Sequence, residues 1–170
     1  MIMLTKNDIQ QLVDEGYIWI KNTISKNDVQ NVLHLKFPNA NSKEKQSDKL
    51  DKILSPLRKK IQNNLSKHFN CKFLKAEIWD DVDAGSKKWH NDNHYKKSDA
   101  NLTVLIYCDE IKDGNTIEIR GPISEIKITP DRYHMIMINQ NKKFEHKASI
   151  RDLPRRVIGM QYFCEELKWI

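Results

Sequence analysis

The sequence predicts a mainly β protein with helices in its N-terminal part, and two observations support this α+β class. Up to Leu65 the apolar residues recur mostly at helical spacing, which is typical of amphipathic helices. After Phe69 the pattern changes to short β-branched and aromatic runs separated by turn residues, which is typical of a β-sandwich or jelly roll. The 170 residues contain no internal repeat or linker. We therefore expect a single domain, with a helical support region at 1–70 and a jelly-roll core at 71–170.

Two short helices and a strand are predicted before residue 35. Each helix starts at a residue whose side chain can cap free backbone N–H groups, followed three positions later by an aspartate, which is the spacing of a capping box. Gly16 is predicted to end the first helix. Residues 17–20 are aromatic and β-branched, which indicates a strand between the two helices. The cap pairs are Thr5 with Asp8 and Ser25 with Asp28.

A third helix is predicted from an apolar stripe that runs from Leu50 to Leu65 at 3.6-residue spacing. Ser55 and Pro56 lie inside this stripe. Because serine suits the N-cap of a helix and proline its first position, we interpret the pair as the start of a fresh helix rather than a kink. The polar segment 39–46 before the stripe is predicted to be a loop.

Six strands are predicted in the C-terminal part, with turn residues between them. Asp113-Gly114 and Gly121-Pro122 give the clearest turn signals. Short strands at this spacing favour a sandwich or jelly roll with the helices packed outside. The predicted strands are 73–79, 102–108, 116–120, 125–129, 134–139 and 157–163.

The charge of the chain favours anionic partners without identifying one. Lys and Arg number 29 against 23 Asp and Glu, which gives a net charge of +6 and a pI near 9.1. The basic residues are spread along the whole chain and form no arginine-rich block. Because no nucleic-acid-binding motif accompanies them, a nucleic-acid partner is not expected.

The cysteines and the apolar runs bear on the cellular compartment. Cys71, Cys108 and Cys164 are odd in number, widely spaced and without a CxxC pair, so neither a disulfide framework nor a zinc cluster is predicted. The first residues lack the pattern of a secretory signal, and no run approaches the ~20 apolar residues of a membrane span. These features predict a cytoplasmic protein without a membrane partner.

His90 and Asp92, in the segment Trp-His-Asn-Asp-Asn-His, have the clearest chemistry. They are two positions apart, and in an extended segment both side chains then point to the same side. Two imidazoles and one carboxylate on one face of a metal leave three positions open, an arrangement suited to non-haem Fe(II) enzymes. A second histidine is therefore needed from elsewhere in the chain.

His146 is the best candidate for that second histidine. His34 and His68 lie in the predicted helical part, where no special role is indicated. His134 begins an apolar strand, and His94 follows the first pair by a few residues. His146 is predicted to lie just past a strand.

Four segments of the chain resemble the Fe(II)/2-oxoglutarate dioxygenases, and in particular their prolyl-hydroxylase-like branch. The first predicted helix and the residues 15–33 that follow it are similar to the helix, strand, short turn and helix that precede the catalytic barrel of that family. His90 and Asp92 match its first two iron ligands. Residues 101–119 are similar to a barrel strand, acidic loop and glycine turn. Residues 128–163 match the closing hairpin, where a distal iron-binding histidine precedes a basic residue that opens the final strand.

The resemblance implies a double-stranded β-helix core and a reaction that uses Fe(II), 2-oxoglutarate and O₂, and it allows ascorbate as an additional cofactor. It implies that His90, Asp92 and His146 bind the iron. The reaction that it implies is the hydroxylation of a C–H bond, driven by the oxidative decarboxylation of 2-oxoglutarate to succinate and CO₂.

The resemblance also implies that a basic residue binds the far carboxylate of 2-oxoglutarate, a role that suits the planar fork of a guanidinium. Arg155, nine positions after His146, aligns best with that residue, and Arg156 is the alternative. Because neighbours on a strand face opposite sides, only one of the two can point inward. Tyr107 matches the position that hydrogen-bonds the same carboxylate.

The sequence departs from the family pattern at two points. The segment 113–115, Asp-Gly-Asn, keeps one glycine where many relatives have two. The aromatic residue that precedes the His-x-Asp motif, often a tyrosine, is here Trp79 or absent. Both differences concern the substrate pocket rather than the predicted metal ligands.

Other interpretations of the same residues remain open. His90 and Asp92 can belong to an exposed turn, and His146 can be a strand-end histidine with a backbone hydrogen bond. Arg155 and Arg156 can be a solvated pair on an edge strand. At the level of function, the alternatives are a non-catalytic basic β-barrel that binds an acidic protein or nucleic acid, and a metal enzyme of cupin type.

The sequence does not identify the primary substrate. The resemblance suggests a prolyl side chain in a peptide or protein. A free amino acid or another small metabolite remains open as well, because the segments 86–97 and 109–115, which would decide this, show no pattern specific to a substrate.

Overall fold

The computed structural model describes residues 4–21, 23–35, 42–44, 48–81, 88–92, 99–109, 116–148 and 155–169. No helix within these ranges has the length and apolarity that a membrane span requires. The helices are α1 (Lys6–Asp14), α2 (Lys26–Leu33) and α3 (Asp48–Leu65), and a short 3₁₀-helix covers Glu165–Trp169. The strands are β1 (Tyr17–Ile20), β2 (Ser42–Glu44), β3 (Cys71–Asp81), β4 (Leu102–Tyr107), β5 (Ile117–Arg120), β6 (Glu125–Ile128), β7 (Met135–Asn139), β8 (Glu145–Ala148) and β9 (Arg155–Cys164).

The strands form two antiparallel sheets. The major sheet has the order β1-β7-β4-β9-β3-β2, and the minor sheet has the order β6-β5-β8. The longest pairing joins β3 to β9 and runs from Cys71 opposite Cys164 to Asp81 opposite Arg155. The strand β1, from the N-terminal region, pairs with β7 at the edge of the major sheet. Two packed sheets with helices outside confirm the predicted α+β class and its jelly-roll core.

Alternate residues of the major sheet belong to two different apolar clusters. On β4, Val104 and Ile106 pack in the cluster that contains the buried residues of the helices. Leu105 and Tyr107 pack in a second cluster with residues of the minor sheet. This alternation is the ordinary consequence of the strand pleat. The inner face of the major sheet, which faces the minor sheet, is therefore formed by every second residue of each strand.

The first two helices begin at the predicted caps, and the first ends at the predicted glycine. Thr5 and Ser25 each accept a hydrogen bond from the backbone N–H of the aspartate three positions later, and each aspartate bonds back to the cap. Gly16 follows α1 with a φ of +86°, a conformation that glycine adopts without strain. The Phe144 ring packs so close to Gly16 that a Cβ would not fit. Both capping boxes and the glycine stop are confirmed.

Three local predictions are wrong. Residues 42–44 form β2 on the edge of the major sheet instead of a loop, because β3 is long enough to pair with them. Pro56 lies inside a continuous α3 and does not start a new helix. A proline inside a helix costs about 3 kcal/mol, and the apolar stripe buried on both sides of it offsets this cost. His146 lies within β8 rather than past a strand. The sequence did not predict β8, because this short strand is half polar and shows no alternation of apolar residues.

Cys71 and Cys164 form a disulfide, contrary to the prediction. They are directly opposed residues of β3 and β9, with Cα atoms 4.1 Å apart and a sequence separation of 93. The pairing follows from the strand register, which the spacing of cysteines in the sequence does not reveal. In the chain-entropy model, closing a loop of this length contributes roughly 4 to 5 kcal/mol to stability.

Cys108 is buried and free. The cysteines therefore no longer support a reducing compartment.

Candidate metal centre

Backbone pairing brings His90 and His146 side by side. His146 lies on β8, opposite Ile119 of β5. On the other edge of β8, the N–H of His90 donates to the carbonyl of His146 at 3.0 Å, and the N–H of His146 donates to the carbonyl of His90 at 2.8 Å. The two imidazole rings lie 4.2 Å apart between their centroids. The minor sheet thus positions both histidines together.

The residues on either side of His90 anchor it. The Trp89 ring contacts two cations, with the Arg120 guanidinium 4.4 Å and the Lys147 ammonium 4.5 Å from the ring centroid, distances typical of cation–π contacts. Asn91 is buried, and its Nδ2 donates to the carbonyls of two residues in the connection from β7 to β8, each at 3.0 Å. These contacts hold the short segment against the minor sheet.

The two oxygens of the Asp92 carboxylate have different surroundings. Oδ1 lies 3.6 Å from Nε2 of His90 and 3.9 Å from Nε2 of His146. Oδ2 accepts hydrogen bonds from Thr103 Oγ1 at 3.1 Å and from Gln140 Nε2 at 3.3 Å. The Oε1 atom of Gln140 also accepts from the backbone N–H of Asp92 at 2.9 Å. Thr103 and Gln140 therefore hold the carboxylate with one oxygen facing the imidazoles.

The three donor atoms fit a single divalent ion. Ligand nitrogen and oxygen atoms lie about 2.1 Å from such an ion, so two of them are at most about 4.2 Å apart. Both carboxylate-to-imidazole distances satisfy this limit. All three ligand atoms lie within 4.8 Å of one another, so a small shift of the side chains is enough to bring the two imidazole nitrogens within the same limit. The Nδ1 atom of His90 is 3.1 Å from the Lys88 carbonyl. A proton on Nδ1 bonded there leaves the lone pair of Nε2 for a metal.

The arrangement matches the two-histidine, one-carboxylate facial triad of non-haem Fe(II) sites, which leaves coordination positions open on the far side. The structure brings together the three residues that the sequence predicted as ligands. It is the one group of this kind among the residues that the structure describes.

No family model and no curated protein matches the sequence. Solved structures do resemble this one. A prolyl 4-hydroxylase from Phytophthora capsici matches with a TM-score of 0.75 and 15% identity over 95% of this chain, which spans only 63% of that protein. A Trichoplax adhaerens prolyl hydroxylase, solved with a peptide fragment of hypoxia inducible factor, matches at 0.73 and 14%, over 95% of this chain and 89% of that one. HygX from Streptomyces hygroscopicus, with nickel and 2-oxoglutarate bound, matches at 0.65 and 11%, over 95% and 88%.

This chain has the fold of a prolyl-hydroxylase-like Fe(II)/2-oxoglutarate oxygenase. The fold resemblance suggested by the sequence is thereby confirmed. In this oxygenase fold the triad lies where the minor sheet, the end of β7 and the start of β4 come together.

The structure separates the two arginines at the start of β9. The Nη1 atom of Arg156 donates to the carbonyls of Val32 at 2.6 Å and Leu33 at 3.1 Å. Arg156 is therefore buried against the end of α2, where a cation also interacts favourably with the helix dipole. It does not face the space between the sheets. Arg155 opens β9 opposite Asp81, and its side chain lies outside the described residues.

Tyr107 is buried between the two sheets. It shares an apolar cluster with Leu105 and Val157, and Val157, two positions after Arg155, is its cross-strand partner. The register thus brings Tyr107 to the start of β9, where the sequence expects the basic residue. Its contact with a cosubstrate stays a prediction.

The other described histidines lie outside the triad. His34 follows α2 and is exposed, and Nε2 of His68 lies 3.1 Å from the Leu4 carbonyl. Nδ1 of His134 accepts from Trp19 Nε1 at 3.3 Å. Burial lowers the pKa of His134, and this effect exceeds the opposing influence of a nearby aspartate. His94 lies outside the described residues.

Gln140 and Thr103 are functional candidates that the sequence analysis missed. Gln140 is 1% exposed, and its Nε2 also donates to Thr103 Oγ1 at 3.0 Å. A polar residue directly after the apolar strand β7 was the available signal. Its importance depends on which strand lies beside Asp92, and the sequence does not show this.

Replacing Gln140 with leucine is expected to weaken metal binding about 10- to 100-fold, the usual effect of losing a residue that orients a metal ligand. Without the amide, the Asp92 carboxylate loses the hydrogen bond from Gln140 Nε2, and the Asp92 backbone N–H loses its acceptor, so the carboxylate is freer to turn Oδ1 away from the imidazoles. The measurement is a titration with Mn(II), followed by the loss of the free-ion electron paramagnetic resonance signal. Gln62→Leu, at a partly buried glutamine bonded to the Cys71 carbonyl, is the matched control. Equal Mn(II) affinities in folded Gln140→Leu and wild-type protein would contradict this role.

Proposed function

We propose that the protein is an Fe(II)- and 2-oxoglutarate-dependent dioxygenase that hydroxylates a C–H bond of its substrate. The observation that carries the proposal is the convergence of His90, Asp92 and His146 within 4.8 Å of one another, inside a jelly roll. The fold shared with 2-oxoglutarate oxygenases supports it.

In this proposal the two histidines and Asp92 hold Fe(II) on one face and leave the other face for 2-oxoglutarate and O₂. When bound, the iron supplies the redox chemistry that couples decarboxylation of 2-oxoglutarate to oxidation of a C–H bond. The protein positions the metal ligands and keeps water away from the metal centre. The hydrogen bonds from Thr103 and Gln140 fix the carboxylate, and the inner apolar cluster limits the entry of water.

The far carboxylate of 2-oxoglutarate is proposed to bind Arg155 and the hydroxyl of Tyr107. Two observations support this assignment. Arg156 is occupied by carbonyls of α2, so Arg155 is the remaining guanidinium of the pair. Tyr107 is buried on the inner face of the sheet and pairs with Val157, close to Arg155 in the register. Ascorbate is proposed only as an additional reductant.

The proposed reaction requires a substrate with a C–H bond that can be hydroxylated. A prolyl ring in a peptide or protein offers such a bond, and so does a free amino acid or another small metabolite. The solved Trichoplax enzyme holds a peptide fragment, which supports the first candidate by analogy of fold.

The test is an anaerobic calorimetric titration of the purified protein with 2-oxoglutarate, in the presence and absence of Fe(II). We expect 2-oxoglutarate to bind when Fe(II) is present and to bind far more weakly without it, because the keto acid end needs the metal. Admission of O₂ should then produce succinate. Binding that does not depend on Fe(II), or the absence of binding, would refute the proposed function.

A further inference from the structure

The turn that precedes β7 binds the end of β4 through its backbone. Tyr107, the last residue of β4, donates its N–H to the carbonyl of His134 at 3.0 Å, and its own carbonyl accepts from the N–H of Tyr133 at 2.7 Å. One turn therefore holds the backbone N–H and the backbone carbonyl of Tyr107. The position of the Tyr107 hydroxyl, which is proposed above to bind the far carboxylate of 2-oxoglutarate, depends on the conformation of this turn.

The turn contains a residue in an unfavourable backbone conformation. The N–H of His134 donates to the carbonyl of Asp131 at 3.1 Å, which closes a four-residue β-turn. Tyr133, the third residue of this turn, has a φ of +65°. Glycine or asparagine is usual at such a position, because a larger side chain is strained in the left-handed region. A tyrosine remains in this conformation only where the surrounding contacts hold it.

The side chain of His134 supplies two of these contacts. Its Nδ1 atom accepts from the backbone N–H of Asp131 at 3.0 Å and from Nε1 of Trp19, on β1, at 3.3 Å. The Trp19 ring also packs edge-on against the imidazole, with the centroids 5.7 Å apart. Trp19 packs in turn against the inner apolar cluster that contains Tyr107. One imidazole nitrogen thus ties the first residue of the turn to its last and fastens the turn to β1.

These contacts require a neutral imidazole. Nδ1 accepts both bonds, so the proton of the neutral ring is on Nε2, whereas a protonated ring carries an N–H at each nitrogen and turns Nδ1 into a donor that faces two donors. The charged groups that act on the ring are Asp131 of the turn and Lys21 after β1. From β4, Tyr107 contacts the turn through its backbone. Burial lowers the pKa of His134, Lys21 adds to this effect, and Asp131 opposes it.

We propose that His134 is a positioning residue for the cosubstrate: its neutral imidazole holds the turn 131–134 in the conformation that places Tyr107 to bind the far carboxylate of 2-oxoglutarate. The proposal rests on the proposed function and adds a dependence on pH to the same site. Protonation of the ring releases the N–H groups of Asp131 and Trp19, and the turn relaxes. The affinity for 2-oxoglutarate then falls as the pH decreases through the pKa of His134.

The test compares wild-type protein with His134→Asn and His134→Leu. The asparagine Oδ1 takes the place of Nδ1 as an acceptor and does not titrate, whereas leucine has no acceptor. The Kd for 2-oxoglutarate is measured by anaerobic calorimetry on Mn(II)-loaded protein between about pH 7.5 and about pH 5.5, the range in which histidine titrates. At the upper end, we expect wild type and His134→Asn to bind alike and His134→Leu to bind about fivefold more weakly or worse, the effect of one lost hydrogen bond.

At the lower end of the range, wild type should approach the weak binding of His134→Leu, and His134→Asn should bind more tightly than both. Protonation of the metal-binding histidines also weakens binding in acid, but it does so equally in all three proteins. A Mn(II) titration without 2-oxoglutarate at each pH measures that contribution. His68→Asn, at a half-buried histidine next to the Leu4 carbonyl, is the matched control and should keep the wild-type pH profile. Urea unfolding verifies that each variant is folded.

Either of two results would overturn the proposal: the same pH profile of 2-oxoglutarate binding in wild type and His134→Asn, or wild-type affinity in folded His134→Leu. If His134→Leu does not fold, the comparison of wild type with His134→Asn still decides. Failure of wild-type protein to bind 2-oxoglutarate at the upper end of the pH range, with the metal present, would instead count against the proposed function itself.

Discussion

Replacement of His146 by alanine is expected to lower the affinity for Fe(II) more than about 100-fold, because even residues that only orient a metal ligand contribute 10- to 100-fold. Binding of 2-oxoglutarate in the presence of Fe(II) should fall with it. His146 contributes one of the three donor atoms, and Asp92 Oδ1 lies 3.9 Å from its Nε2. The measurements are a metal titration and anaerobic calorimetry with 2-oxoglutarate.

The control for this variant is His34→Ala, which removes an exposed histidine outside the triad. Thermal unfolding of both variants separates loss of the metal from loss of the fold, since the backbone bonds between His146 and His90 do not need the imidazole. If folded His146→Ala bound 2-oxoglutarate in an Fe(II)-dependent manner with wild-type affinity, the proposed metal centre would be wrong.

The sequence predicted the three residues of the triad but not how they come together. His90 and Asp92 could be read from their two-residue spacing, and His146 was selected from several histidines with the help of a family resemblance. The contact between His90 and His146 depends on a backbone bridge to β8. That strand has four residues, three of them charged or ionisable, so no apolar alternation indicated it.

Local features of the fold were predictable where the cause is local. The capping boxes at Thr5 and Ser25 and the stop at Gly16 involve residues only a few positions apart. The disulfide between Cys71 and Cys164 depends instead on the register of β3 against β9. The continuity of α3 through Pro56 depends on the tertiary burial of its apolar stripe. Both follow from packing between distant segments, which composition and spacing do not determine.

The residues around the triad illustrate the same limit. Thr103 and Gln140 are 37 positions apart, yet they hydrogen-bond to each other and to Asp92. In the sequence these are ordinary polar residues within or beside apolar strands. Their position at the metal centre follows from sheet order alone.

The two arginines at the start of β9 are expected to respond to substitution in opposite ways. Arg155→Ala should weaken binding of 2-oxoglutarate about 30-fold or more, since truncating one partner of a buried charge pair costs about 2 kcal/mol or more. Its effect on the free energy of unfolding should be small. Arg156→Ala should leave the affinity for 2-oxoglutarate nearly unchanged and lower the free energy of unfolding by about 2 kcal/mol or more, because two charge-assisted bonds to α2 carbonyls are lost.

This opposition follows from the strand pleat, because adjacent residues of β9 belong to opposite faces and Arg156 is bonded to α2 on the helix side. Both effects are measured on the wild-type protein, Arg155→Ala and Arg156→Ala. Calorimetry gives the affinity for 2-oxoglutarate, and urea unfolding gives the free energy of unfolding. Arg155→Lys keeps the charge but loses the bidentate fork, so it should bind 2-oxoglutarate with intermediate affinity. If Arg156→Ala lost 2-oxoglutarate binding while Arg155→Ala kept it, the assignment of the two residues would have to be exchanged. The end of α2 would then need another group to satisfy its carbonyls.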